Sequence, residues 1–182
     1  SEVNTDQPIK FKEEYVVSLN LGTAIPAGEN LNTKFSSGSN LEANVSTPFN
    51  FSGINVIAHL GMLKLSASNS AYTNYSVTKL GIKLAKNVSF LNINLGTGLA
   101  MASGVAMEVP YDDYDMTTLY LSGDLSYALP LSGILSKPMN GQLADLNISI
   151  YAGGLMIFGA PAKAGTSDLV NMGLSISYPF LF

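Results

Sequence analysis

The sequence predicts an all-β protein: an eight-stranded antiparallel up-and-down transmembrane β-barrel. Three observations predict it. Eight segments of roughly ten residues alternate apolar and polar side chains with period two, which marks a strand with one oily face and is the length a tilted membrane-crossing strand requires. Charged residues make up only 12% of the 182-residue chain, about half of the ~25% usual in globular proteins. The segments are joined by short turns alternating with long polar loops, the layout of an up-and-down membrane barrel. A soluble barrel would point its apolar faces inward and cover its outside with Lys and Glu. Nine Lys and Arg in all are too few to cover eight strands.

The first segment, residues 13–26, places Tyr15, Val17, Leu19, Leu21, Thr23 and Ile25 on one face and Ser18, Asn20, Gly22 and Ala24 on the other. The second, 41–49, sets Leu41, Ala43, Val45, Thr47 and Phe49 against Glu42, Asn44 and Ser46. In the third, 54–65, Ile54, Val56, Ala58, Leu60 and Met62 share the oily face, and His59 and Gly61 the other. Its parity then slips, since Leu63 and Leu65 flank Lys64; a β-bulge there is expected to restore the faces. The fourth, 76–85, opposes Thr78, Leu80, Ile82 and Leu84 to Lys79, Gly81 and Lys83.

The fifth, 90–101, alternates Leu91, Ile93, Leu95, Thr97, Leu99 and Met101 with Asn92, Asn94, Gly96, Gly98 and Ala100. The sixth, 118–129, opposes Leu119, Leu121, Leu125, Tyr127 and Leu129 to Tyr120, Ser122, Asp124 and Ser126. The seventh, 145–158, opens with Leu146, Ile148, Ile150 and Ala152 against Asn147, Ser149 and Tyr151. The eighth, 171–182, ends the chain on an oily parity of Met172, Leu174, Ile176, Tyr178, Phe180 and Phe182.

Tight turns are expected at 50–53 and 86–89, and loops at 26–40, 66–75, 103–116 and 159–168. The connection near 130–144 is long where a short turn is due. No linker or composition break divides the chain, so residues 1–182 form one barrel domain, with 1–12 as an N-terminal extension.

Composition excludes several functions. With no cysteine, no disulfide, thiolate nucleophile or thiolate metal site can form. A net charge of −4 without a basic cluster offers nothing to nucleic acid. No cofactor is expected: "GTGLAMASG" lies within a strand and precedes neither a Lys nor a helix, so it is not a phosphate loop. The loop at 103–116 contains "EVPYDDYD", in which Tyr111, Asp112, Asp113 and Tyr114 are candidate surface contacts. The segment lacks the Asp-x-Asp-x-Asp-Gly order of a Ca²⁺ loop and is read as a solvated acidic loop, with no metal expected.

Glu42, His59, Lys79, Lys83, Asn92, Asn94 and Asp124 fall on the polar parity. They are expected to form a lumen network, because buried charges must be paired. Charges lining a solute pathway are the competing reading. His59 is the only histidine, and no hydroxyl nucleophile accompanies it in "IAHLGML", so a structural role is expected and no enzyme. Aromatics gather at strand ends as interfacial girdles would. Tyr15, Phe49, Phe90, Tyr127, Tyr178 and Phe180 fall at the short-turn end, and Tyr72, Tyr75, Tyr111, Tyr114 and Phe158 near the long loops.

"GLSISYPFLF" resembles the C-terminal assembly signal of bacterial outer-membrane proteins, and "VVSLNLGTAIPAG" resembles their first strand entering the first surface loop. The layout is similar to the small eight-stranded barrels of the OmpA/OmpX/OmpW type. The resemblance implies a Gram-negative-type outer membrane, with lipid around the strands, both termini and the 1–12 extension in the periplasm, and four loops outside. It also implies that the barrel-assembly machinery reads Tyr178, Phe180 and Phe182. The function expected is a non-enzymatic barrel that displays loops for structural or adhesive interaction with an extracellular or cell-surface ligand. The alternative is a narrow channel or carrier for small solutes or hydrophobic molecules.

Overall fold

A computed structural model describes residues 14–104, 115–131, 145–159 and 166–181. Each predicted strand forms, and each pairs antiparallel with its neighbours in sequence: β1 (Glu14–Pro26), β2 (Phe35–Phe51), β3 (Ile54–Ala67), β4 (Tyr75–Val88), β5 (Leu91–Ser103), β6 (Met116–Ala128), β7 (Asn147–Phe158) and β8 (Thr166–Leu181). β8 closes the barrel on β1, with Tyr178 opposite Val17 and Leu174 opposite Leu21. Paired residues followed from Leu21 reach Met101 through β2, β3 and β4 but Leu91 through β8, β7 and β6, a stagger of ten residues. At ~3.4 Å rise and ~4.8 Å strand spacing, that stagger tilts eight strands by roughly 40° and gives a radius of roughly 8 Å, just wide enough to be filled by side chains.

The tight turns form as expected. Ser52 and Gly53, with φ of 52° and 79°, join β2 to β3 in the doubly left-handed conformation that matches strand twist. Ser89 (φ 58°) begins the β4–β5 turn. Of the β6–β7 connection near 130–144, residues 132–144 lie outside the described residues, as do the extension 1–12, the acidic loop contacts Tyr111, Asp112, Asp113 and Tyr114, and Phe182.

Two strands start earlier than their alternation indicated. β2 begins at Phe35 rather than near 41, and β8 at Thr166 rather than near 171. The first loop therefore shrinks, and a helical turn, α1 (Glu29–Asn32), occupies it. Ala27 N–H bonds the Asp168 carbonyl at 2.9 Å, tying this loop to β8.

The expected bulge at Leu63–Leu65 does not form. β3 pairs with β4 without interruption from Ile54 to Leu65, so Lys64 points outward and Leu63 and Leu65 point in. The irregularities lie on β2 instead, between Ser36 and Gly38 and between Ser46 and Asn50. The second contains Pro48, which has no N–H to give the ladder. At the first, a side chain at Gly38 would collide with the Lys64 carbonyl.

Leu63 and Leu65 belong to a packed apolar plug that fills the loop end of the barrel. Leu31 from α1, Phe35, Leu63, Leu65, Tyr75 and Leu169 are among its buried members. Tyr72 and Tyr75 were expected in the outer girdle. Instead both pack against Phe35 in tilted contacts, with centroids 5.8 and 5.4 Å apart, as part of the apolar filling of the loop end. Phe158 does face outward.

The outer surface is an apolar belt. Twenty-eight large apolar side chains are exposed among the described residues, with Leu95 63% exposed near mid-strand. No soluble monomer leaves so large a contiguous apolar surface bare, whereas lipid accepts it, and the closed ladder leaves no strand edge to satisfy there.

Candidate functional site: the barrel lumen

Below the plug, inward positions turn polar. Glu42 on β2, Gly61 on β3 and Lys79 on β4 lie side by side across the sheet. Gly61 has no side chain to separate its neighbours, so the Lys79 stem lies over it and Nζ donates to Glu42 Oε2 at 3.1 Å. Lys83, two inward positions further down β4, donates to Glu42 Oε1 and reaches Asp124 Oδ2 on β6 at 3.4 Å. Asn94 donates to Asp124 Oδ1 at 2.6 Å, and Asn20 to Glu42 Oε1 at 3.3 Å. His59 Nδ1 lies 3.5 Å from Glu42 Oε2, while its Nε2 bonds the Tyr120 hydroxyl. The result is a belt of two carboxylates and two ammonium groups spanning the barrel. Glu42, Lys79 and His59 are 2–3% exposed.

Two tyrosines complete the belt. Tyr120 lies over Gly81, which pairs with Gly98, and Tyr151 lies over Gly22, which pairs with Gly173. The missing side chains make room for the rings, and the rings cover the bare backbone, as aromatic residues do for glycines in engineered sheets. Asn40 donates to the Tyr151 hydroxyl at 3.2 Å.

Six of the seven residues expected in a lumen network are thus brought together: Glu42, His59, Lys79, Lys83, Asn94 and Asp124. Asn92 is not. It donates to Asn87 Oδ1 at 2.7 Å near the β4–β5 turn. Asn20, Asn40, Tyr120 and Tyr151 complete the network and were not singled out beforehand. Their inward parity was visible, and inward glycines on neighbouring strands signalled where a ring could lie.

Toward the turn end the lumen widens into a cavity of about 720 Å³, bounded by the belt at Lys83 and Asp124 and by the turn residues Ser89, Phe90 and Leu91. Within the belt a gap of about 20 Å³ lies between Glu42, Lys79 and Tyr151, room for about one water. Among the described residues the lumen is therefore open at one end, constricted at its middle and packed at the other. Around the open end, Phe90 meets Tyr127 edge to face at 6.2 Å, and Tyr178 meets Phe180 at 5.2 Å. Tyr15 and Phe49 lie at the same ends of their strands.

No protein-family model and no curated protein matches the chain. Among solved structures it is similar to Ail, the attachment invasion locus protein of Yersinia pestis, with a TM-score of 0.55 at 12% identity over 93% of this chain and 100% of Ail. Neisserial surface protein A gives a TM-score of 0.52 at 12% identity, covering 93% of this chain and 97% of that one. Outer membrane protein AlkL, solved by solid-state NMR in lipid bilayers, gives 0.51 at 13% identity, covering 99% and 98%. At these identities the likeness is one of fold: the chain has the architecture of the small eight-stranded outer-membrane barrels.

Proposed function

We propose that this protein is an integral barrel of a Gram-negative-type outer membrane, without enzymatic activity, that holds its loops at the cell surface for structural or adhesive contacts. One observation carries the reading: a broad apolar exterior surrounds a lumen sealed at its loop end by packed side chains. Such a barrel is a rigid pedestal. Ail, an attachment invasion locus protein by name, is built on the same fold. The tyrosines and aspartates at 111–114 are the candidate contacts for an extracellular or cell-surface ligand. Tyr178, Phe180 and Phe182 would be read by the assembly machinery. Lys79, Lys83, Glu42 and Asp124 serve to fill and fix the lumen, with Asn94 oriented on Asp124. His59 is held between Glu42 and the Tyr120 hydroxyl, and both rings are buried, which favours a structural role.

Single-channel recording in planar bilayers tests the proposal. A pedestal sealed by the plug and the charged belt gives no steady conductance. Reproducible ion steps would favour the second reading, a narrow channel or carrier, for which the turn-end cavity is the supporting observation.

A further inference from the structure

The turn-end cavity has no part in loop display, since it opens at the opposite end of the barrel. Seven asparagines and seven serines line it. Among the described residues, none of those seven serine hydroxyls bonds another protein group. Asn55, Asn92 and Asn147 line its lower part, away from the charged groups. The charged groups at the floor, Lys83 and Asp124, are 3.4 Å apart and satisfy each other.

We propose that this cavity binds a neutral saccharide of roughly two rings, a size that suits a pocket of several hundred Å³. A carboxamide presents one acceptor and two donors side by side, and a hydroxyl presents both roles. Vicinal sugar hydroxyls offer the complementary set. An apolar guest would strip water from the seven serine hydroxyls and offer them no partner. A charged guest would meet a floor whose two charges already cancel, and so would gain no net attraction. At the mouth, the edge-to-face pair of Phe90 and Tyr127 offers apolar ring surface to the C–H face of a sugar.

The test is titration of the isotope-labelled barrel, refolded in phosphocholine micelles that carry no sugar headgroup, followed by NMR of the Asn side-chain amides. The probes are maltose, N,N′-diacetylchitobiose and the anionic disaccharide lactobionate. The expected result is saturable shifts of the Asn55, Asn92 and Asn147 amides with at least one neutral probe, with lactobionate weaker. Preference between the two neutral probes then tells a free sugar from an N-acetylated glycan fragment. Ser149→Leu and Ser177→Leu, which fill the cavity at positions whose cross-strand partners lie outside the charged belt, should each weaken binding about tenfold. Absence of saturation with both neutral sugars at tens of millimolar overturns the proposal. So does tighter binding of lactobionate, or full affinity in both leucine variants.

Discussion

Replacing Glu42 by Gln should be the most damaging single change in the lumen, and its cost can be apportioned from the geometry. Lys79 is 2% exposed and has Glu42 as its one hydrogen-bonded partner among the described residues. Lys83 keeps Asp124 at 3.4 Å when Glu42 is lost. Glu42→Gln therefore strands one buried ammonium group, at a cost of about 3–5 kcal/mol. Lys79→Met is milder. Glu42 then still accepts from Lys83 and Asn20, so the loss approaches that of one charged hydrogen bond, about 1.5–3 kcal/mol. Combining the two removes both charges and leaves no stranded group. The double variant should be more stable than Glu42→Gln alone, with a coupling of about 1–3 kcal/mol in the double-mutant cycle. The assay is urea unfolding in phosphatidylcholine vesicles, read as the fraction of unheated protein that keeps the fast gel mobility of the folded barrel. If Lys79→Met is as destabilising as Glu42→Gln, or the double variant is simply additive, the belt is not the charge-compensated unit described here.

Other perturbations separate the faces and the seams. Leu95→Arg should cost about 2–4 kcal/mol, because that position faces the bilayer midplane; Asn94→Arg should instead disturb lumen packing without exposing charge to lipid, and the same unfolding series in vesicles compares them. Gly81→Val, whose new side chain would collide with the Thr97 carbonyl and the Tyr120 hydroxyl, should cost at least about 2 kcal/mol. Gly123→Val, with only Leu95 Cδ2 at 3.5 Å and the Asn94 carbonyl at 4.0 Å, should be tolerated. Deleting Phe182 should impair insertion in cells more than refolding in micelles, because one ring contributes only ~1.5–3 kcal/mol of burial, whereas recognition of the proposed assembly signal would depend on that position. Equal loss in both settings would remove the assembly role.

The outer face was legible because lipid demands an apolar residue at every second position, and eight strands supply it. The loop end was not. Alternation shows which side chains share a face only while the other face is polar, and at Leu63–Lys64–Leu65 the inward face turns apolar to build the plug. The sequence then reads as a parity slip where the strand runs straight. The real irregularity carried its own signal in Pro48, hidden by the apparent regularity of Val45, Thr47 and Phe49. The early starts of β2 and β8 were obscured because Ser36–Gly38 and Thr166–Asp168 are small or polar and look like loop. In the lumen, parity named the charged residues. Their partnership depended on glycine gaps, visible in the parity, and on a stagger of ten residues, which local pattern does not reveal.

Solid-state NMR of the barrel in lipid bilayers, detecting transfer from acyl-chain protons and from water to the residues of β5, tests the central claim most directly. Lipid transfer should appear at Ile93, Leu95, Leu99 and Met101, and water transfer at Asn92 and Asn94 in the open cavity. Ala100 and Ala102, packed in the plug, should receive neither. Lipid contact at Asn94, or water reaching Ala102 as readily as Asn92, would contradict a membrane barrel sealed at its loop end.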